Sequence, residues 1–135
     1  MNFPREQEQQ LQVGDTVIAE YKSGRYIGTI VELTNSRKAA VQIAAVVKHP
    51  EQGDLHHPMQ ADVPLFHQRK ALAHREIALM PLNTVERYDG PVPEYDESLR
   101  ESVDLHKQEL DQLKRWAERA LAEMEALEQE YKKIK

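Results

Sequence analysis

Residues 96 to 135 contain neither glycine nor proline, and their apolar positions keep a regular beat. Leu99, Val103, His106, Leu110, Leu113, Ala117, Ala120, Met124, Leu127, Tyr131 and Ile134 follow one another at alternating spacings of four and three. That alternation is the heptad seam of an amphipathic helix, sustained for about five repeats. A helix of this length extends on the order of 60 Å, about twice the width of the small domain that the rest of the chain can build. It cannot bury its whole seam against that domain, and no turn signal folds it into a hairpin. The pattern therefore predicts a partner helix, and with it a homo-oligomer formed through the C-terminal helix in a coiled coil. His106 is the polar seam residue, a device that specifies register at some cost in stability. Ala117 and Ala120 permit close helix approach, while Trp116 and Leu121 widen the apolar face.

Upstream of the helix, "YDGPVPEYDESL" reads as a boundary. Asp89-Gly90 is a turn signal, and Pro91 and Pro93 hold the chain extended. Residues 91–95 are expected to be a linker and 96–135 the helix. Asp96 is its expected N-cap, and Glu97 and Glu101 lie near its positive end.

The preceding residues have strand texture. In "VGDTVIAEYKSGRYIGTIVEL" Val17, Ala19 and Tyr21 alternate with Thr16, Ile18 and Glu20. Ser23-Gly24 reads as a turn, and Tyr26, Gly28 and Ile30 continue the period of two. Gly28 inside a strand marks a bend or a close backbone approach. "AAVQIAAVVKH" suits a central strand, and "KALAHREIALMP" a further one, with a helix as its rival on propensity. In that strand Leu72, His74 and Glu76 would share one face, and Ala71, Ala73, Arg75 and Ile77 the other. "PLNTVERY" has room for a helical turn. Short strands joined by tight turns protect their edges best in a closed sheet. The expected fold is mainly β with α: a small SH3-like β-barrel over residues 11–90, then the long C-terminal helix. Residues 1–10, polar and rich in Gln and Glu, are expected to be disordered.

Between the strands lies "KHPEQGDLHHPMQADVPLFHQRK", residues 48–70, with four of the chain's six histidines. His49, His56, His57, His67 and His74, with Asp54 and Asp62, are enough ligands for a divalent ion, but their spacing does not match a metal site. The sequence holds no H-x-x-x-H and no paired-ligand knuckle, and adjacent His56 and His57 do not face one centre in an extended chain. No metal and no cofactor is expected. Catalysis lacks candidates too. There is no cysteine, and Ser23, Ser36, Ser98 and Ser102 lie in apparent turns or at the helix start, none in a G-x-S-x-G context. The five glycines form no phosphate loop. A non-enzymatic binding loop makes better physical sense. Pro50, Pro58 and Pro64 reduce the entropy lost on binding, and Leu55, Met59, Leu65 and Phe66 offer apolar contact. The residues expected to meet a partner are His49, Asp54, His56, His57, Met59, Phe66 and Arg69. The same loop could also close the barrel, with Leu65 and Phe66 in its core.

Charge narrows the partners. Eighteen basic residues against 23 acidic ones give a net charge of -5, which is not the footprint of a phosphate-neutralising protein. An SH3-like RNA-binding module is the alternative, carried by Lys22, Arg25 and Tyr26 around "SGRYIGTI", but Arg37 and Lys38 are its only basic neighbours before Lys48. No nucleic acid is expected. "MNFPREQEQQ" has no apolar segment for a signal peptide, and no run reaches the length of a membrane span. The expected location is cytoplasmic, with no direct membrane anchor.

Taken together, "YKSGRYIGTIVEL", "KHPEQGDLHHPMQADVPLFHQRKALAHRE" and "YDGPVPEYDESL" resemble the kinase-associated protein B family of spore-forming bacteria over roughly residues 12 to 105. The Pro/His loop is the most specific part of the match. The resemblance implies an SH3-like barrel followed by helix, and an adaptor that binds a sensor histidine kinase and supports it in the phosphorelay initiating sporulation. It implies no catalytic residues. Family members are often described as lipoproteins, whereas this sequence has no cysteine to acylate. Any placement at the membrane is then expected to be peripheral, through the kinase.

Overall fold

Why these strands pair as they do is set by one tight turn and one register shift. In the computed structural model, which describes residues 10–133, β1 (Thr16–Tyr21) and β2 (Gly24–Leu33) form a hairpin with Tyr21 opposite Gly24. Its two-residue turn is Lys22-Ser23, with φ of 45° and 72°. Positive φ at both positions gives the twist that matches antiparallel strands. Gly24, expected in the turn, instead opens β2. β3 (Lys38–Lys48) pairs along β2, and β4 (Ile77–Pro81) pairs with the start of β3. A single 3-10 turn, Leu82–Thr84, leads to the two-residue β5 (Glu86–Arg87), which returns to β1.

The result is one five-stranded antiparallel sheet in the order β4-β3-β2-β1-β5. The barrel closure expected from the sequence is not seen among the described residues: the sheet is open there, with β4 and β5 as its edges. β5 is too short to carry a ladder onward. The further strand is also shorter than expected. Residues 71–76 form no strand, because the chain turns at His74-Arg75, with Arg75 at φ 71°. Only then does it join β3, with Ile43 N–H donating to Glu76 O at 2.9 Å and Arg75 N–H to Ile43 O at 2.8 Å.

Val17, Ala19, Tyr26, Ile30, Ala39, Val41, Ile43, Met80 and Val85 share one buried cluster. In β3 the inward set runs 39, 41, 43 and then jumps to Val46. A register shift between Ile27 and Gly28 lets this happen, placing Ile43 opposite Gly28 and Ala45 opposite Ile27. One extra residue reverses which side faces the core.

The chain divides into two compact units, Met1–Ser102 and Val103–Lys135. The helix α1 (Tyr95–Lys132) begins in the first and makes up the described part of the second. Within the first unit, Tyr95 and Leu99 pack against the core and Ser98 and Ser102 are buried. Ser98 Oγ accepts the Val46 N–H at 2.9 Å, satisfying β3 beyond the reach of β4. Asp96 is not the N-cap. It lies inside the first turn, which already closes when Ser98 N–H donates to Glu94 O at 2.9 Å. There Asp96 and Glu97 still complement the helix dipole. Residues 1–9 and Ile134, for which disorder and a seam position were expected, lie outside the described residues.

Candidate functional site

The long connection between β3 and β4, residues 49–76, is built in three tiers. At its base Pro50 is fully buried, and Glu51 N–H donates to Ser23 Oγ in the β1–β2 turn at 2.9 Å. The side-chain amide of Gln52 then stands where a neighbouring strand's peptide would. Its Oε1 accepts Arg69 N–H at 2.7 Å, and its Nε2 donates to Arg69 O at 2.9 Å and Pro50 O at 3.1 Å. Arg69 replies with its guanidinium, Nη1 to Glu51 O at 2.6 Å and Nη2 to Gly53 O at 3.2 Å. Gly53 N–H donates to His67 O at 2.8 Å, so the outgoing and returning limbs are clamped together. Gly53 has φ +98°, and a Cβ there would lie 2.9 Å from the Phe66 ring. The backbone there favours glycine, and the exposed Phe66 ring would have to shift to admit a Cβ.

The clamp makes a local prediction. Arg69→Ala removes two charge-assisted bonds, a loss of about 2 kcal/mol or roughly 30-fold in local opening. Proteolytic nicking within residues 54–66 should accelerate by that order, while Tm falls only a few degrees. Equal protection in variant and wild type would show that the loop does not depend on Arg69.

The crown is a turn organised by Asp54. His56 N–H donates to its Oδ1 at 2.9 Å, His57 Nδ1–H to its Oδ2 at 3.0 Å, and His57 N–H to its carbonyl at 3.0 Å. The His57 ring, and after it the His56 amide, hold the Asp54 carboxyl below the usual carboxylate range. A carboxylate lowered on folding stabilises the turn above its unfolded pKa, and that contribution is lost as pH falls through the folded value. Amide exchange at His56 and His57 should accelerate below the usual carboxylate range, and Asp54→Asn should show the fast rate at every pH. Beyond this turn Met59, at φ 67°, is 82% exposed, and Leu65 and Phe66 are 66% and 58% exposed. Leu65 and Phe66 are thus outside the core, not closing it.

On the returning limb Leu72 enters the core between two tyrosines. Its N–H donates to Tyr26 OH at 3.2 Å, and its carbonyl accepts from Tyr95 OH. The His74 ring stacks on Tyr95 with centroids 5.4 Å apart. Burial pushes both phenols above their ordinary pKa, opposed at Tyr26 by the Leu72 N–H and aided at Tyr95 by Asp96 and Glu76.

The seven residues expected to meet a partner thus separate by role. Met59 and Phe66 present apolar surface, with exposed His56 nearby in sequence. Asp54 and His57 bond each other, His49 Nδ1 bonds Pro50 O at 3.0 Å, and Arg69 holds the base. Among the described residues no group of three His, Asp or Glu could hold a metal ion. Tyr26, which base stacking would need at the surface, is buried. Gln52, Ser23, Tyr95 and Ser98 had no local signal, since each acts on a segment 17 or more residues away. Gly53-Asp54 did carry one, as a turn dipeptide.

The seam of α1 divides likewise. Leu99 packs on the core of the first unit, and Val103 and His106 are half-buried. Leu110, Leu113, Met124 and Leu127 are exposed, with Ala117 and Ala120 half-buried between them. No helix among the described residues is long and apolar enough to cross a membrane.

This sequence can be set beside known proteins. A family described as "Kinase associated protein B" matches residues 21–132. The chain is 46% identical over 121 residues to a Bacillus subtilis (strain 168) protein named "Kinase-associated lipoprotein B", covering 89% of this chain and 94% of that one. It also aligns with the crystal structure of kinase-associated protein B from Bacillus cereus, at a TM-score of 0.64 and 31% identity over 76% of this chain and 80% of that one. The chain belongs to the kinase-associated protein B family.

Proposed function

We propose that this protein is a non-enzymatic adaptor that binds a sensor histidine kinase through the 49–69 loop and supports it in the phosphorelay initiating sporulation. The carrying observation is a loop clamped by Gln52 and Arg69 at its base that holds Met59, Leu65 and Phe66 out to solvent. Apolar side chains on a stiff support lose little entropy when a partner covers them. The kinase partner is supported by the names of the relatives. The support is allosteric, through tighter binding to the kinase's active conformation. The protein works in the cytoplasm and reaches the membrane peripherally, through its partner. The strand order, with a 3-10 turn before a last strand that returns to the first, favours an SH3-like arrangement, left open between β4 and β5, as the scaffold.

The test is a tagged pull-down from cells entering sporulation, nuclease-treated and read by mass spectrometry. A sensor histidine kinase should be recovered. Met59→Ala with Phe66→Ala should lower that recovery at least 30-fold, as loss of about 2 kcal/mol at an interface centre does, without changing Tm. Nuclease-sensitive partners with no kinase above background would overturn the proposal in favour of RNA binding.

A further inference from the structure

The exposed apolar face of α1 within the second unit has no explanation in the loop. We propose that this face is a self-association surface, on which two copies pair their helices antiparallel and cross at Ala117 and Ala120. Leu110, Leu113, Trp116, Leu121, Met124 and Leu127 are each between 38% and 68% exposed, and Tyr131 continues the stripe. Leu121, Met124 and Tyr131 line an open groove with Glu125 and Glu128. Covering these seven side chains removes on the order of 100 Å² each from water. That is roughly 700 Å² per copy, close to the roughly 800 Å² per partner of a stable interface.

The occupant is a second copy because the seam is complementary to itself. With the crossing centred between Ala117 and Ala120, each Leu110 meets Leu127 of the other copy. Leu113 meets Met124, and Ala117 meets Ala120. The alanines sit where the axes come closest, and the larger layers lie to either side. Nothing apolar in this stretch of seam is left without a counterpart.

Charge selects the direction. Glu123, Glu125, Glu128 and Glu130 follow one another with no cation between them, whereas the earlier residues 107–115 mix Lys107, Lys114 and Arg115 with Glu109 and Asp111. Aligned parallel copies would set this run of four glutamates against itself, with Glu123 facing Glu128 across the flank and Glu109 facing Lys114 as the opposing favourable pair. Antiparallel copies lay that segment along the lysines, with Lys107 facing Glu128 twice by symmetry. Lys114 runs its stem along Leu121, and Trp116 covers the stem of Glu123. Glu109 and Glu130 form the one like-charged flank pair.

Sedimentation equilibrium of the full chain, from about 1 to 200 μM, tests this at concentrations where an interface of this size associates. Wild type should be a dimer at the upper end. Leu113→Glu should shift it to monomer, a loss of at least 100-fold that leaves the monomer helical, because Leu113 is 42% exposed. Orientation is read from charge reversal at low salt. Glu128→Lys should weaken the antiparallel dimer several-fold, and Lys107→Glu in the same chain should restore it. In a parallel dimer Glu128→Lys would relieve the clash with Glu123 and tighten association, which would overturn the antiparallel arrangement. A wild-type monomer throughout would overturn self-association and leave the face to a different protein.

Discussion

Replacing Gly28 with alanine should cost about 3 kcal/mol or more, at the upper end of what overpacking exacts. A Cβ at Gly28 would lie 2.3 Å from the carbonyl oxygen of Gln42 and 2.6 Å from Val41 Cγ1. The nearer obstacle is backbone, so no rotamer change relieves it. β2 and β3 would have to part at the register shift that turns the inward set from Ile43 to Val46. In a domain this size Tm should fall by roughly 10–20 °C. Gly14→Ala is the natural comparison. Gly14 has φ +97° with nothing within 4 Å of an added Cβ, so it pays only the left-handed conformation, about 1–2 kcal/mol. Equal losses of Tm in the two variants would show that β2 and β3 do not approach as closely as described.

The second large effect is expected at Tyr26, which ties the loop to the sheet. Tyr26→Ala should cost about 3–5 kcal/mol, as truncation of a fully buried aromatic does. Tyr26→Phe keeps the ring and removes only the acceptor of the Leu72 N–H, leaving that buried donor unpaired for about 1–3 kcal/mol. Chemical denaturation of the three proteins separates ring from hydroxyl. Equal stability of wild type and Tyr26→Phe would mean that the Leu72 bond contributes nothing. Alkali probes the same group. Tyr26 and Tyr95 have raised pKa values in the folded state, so their contribution is whole below the ordinary tyrosine pKa. It is lost as pH rises through the folded values. Denaturant midpoints should therefore fall above pH 10, and Tyr26→Phe should blunt that fall.

Gly28 is also a measure of how much was legible beforehand. A glycine inside a strand signals a bend or a close approach, and here the approach is to Gln42 across the β2–β3 ladder. Alternation likewise grouped Val17 with Ala19 and Tyr26 with Ile30, and all four face the core. It could not place the jump from Ile43 to Val46, because one extra residue in β3 is visible only against its partner strand. Residues 71–76 alternate as convincingly as a strand, yet the turn at Arg75 and the pull of Leu72 into the core keep them out of the sheet. In the loop, composition pointed to a stiff segment with apolar contacts. Which residues stiffen it and which face outward was decided by bonds from Gln52 to Arg69 and from Leu72 to Tyr26, pairs that no local pattern connects.

Sequence alone determined the elements whose cause is local. These are the helix from its unbroken heptad and absence of glycine and proline, the β1–β2 hairpin, and the punctuation of the Pro/His loop. Periodicity and turn chemistry act over a few residues, so they are written where they act. Tertiary structure decided that the sheet stays open, that Tyr26 is a buried clasp, and that Met59 and Phe66 rather than Arg69 face solvent. Those outcomes depend on which distant groups satisfy one another's hydrogen bonds and exclude water, and that is settled only when the whole chain is in place.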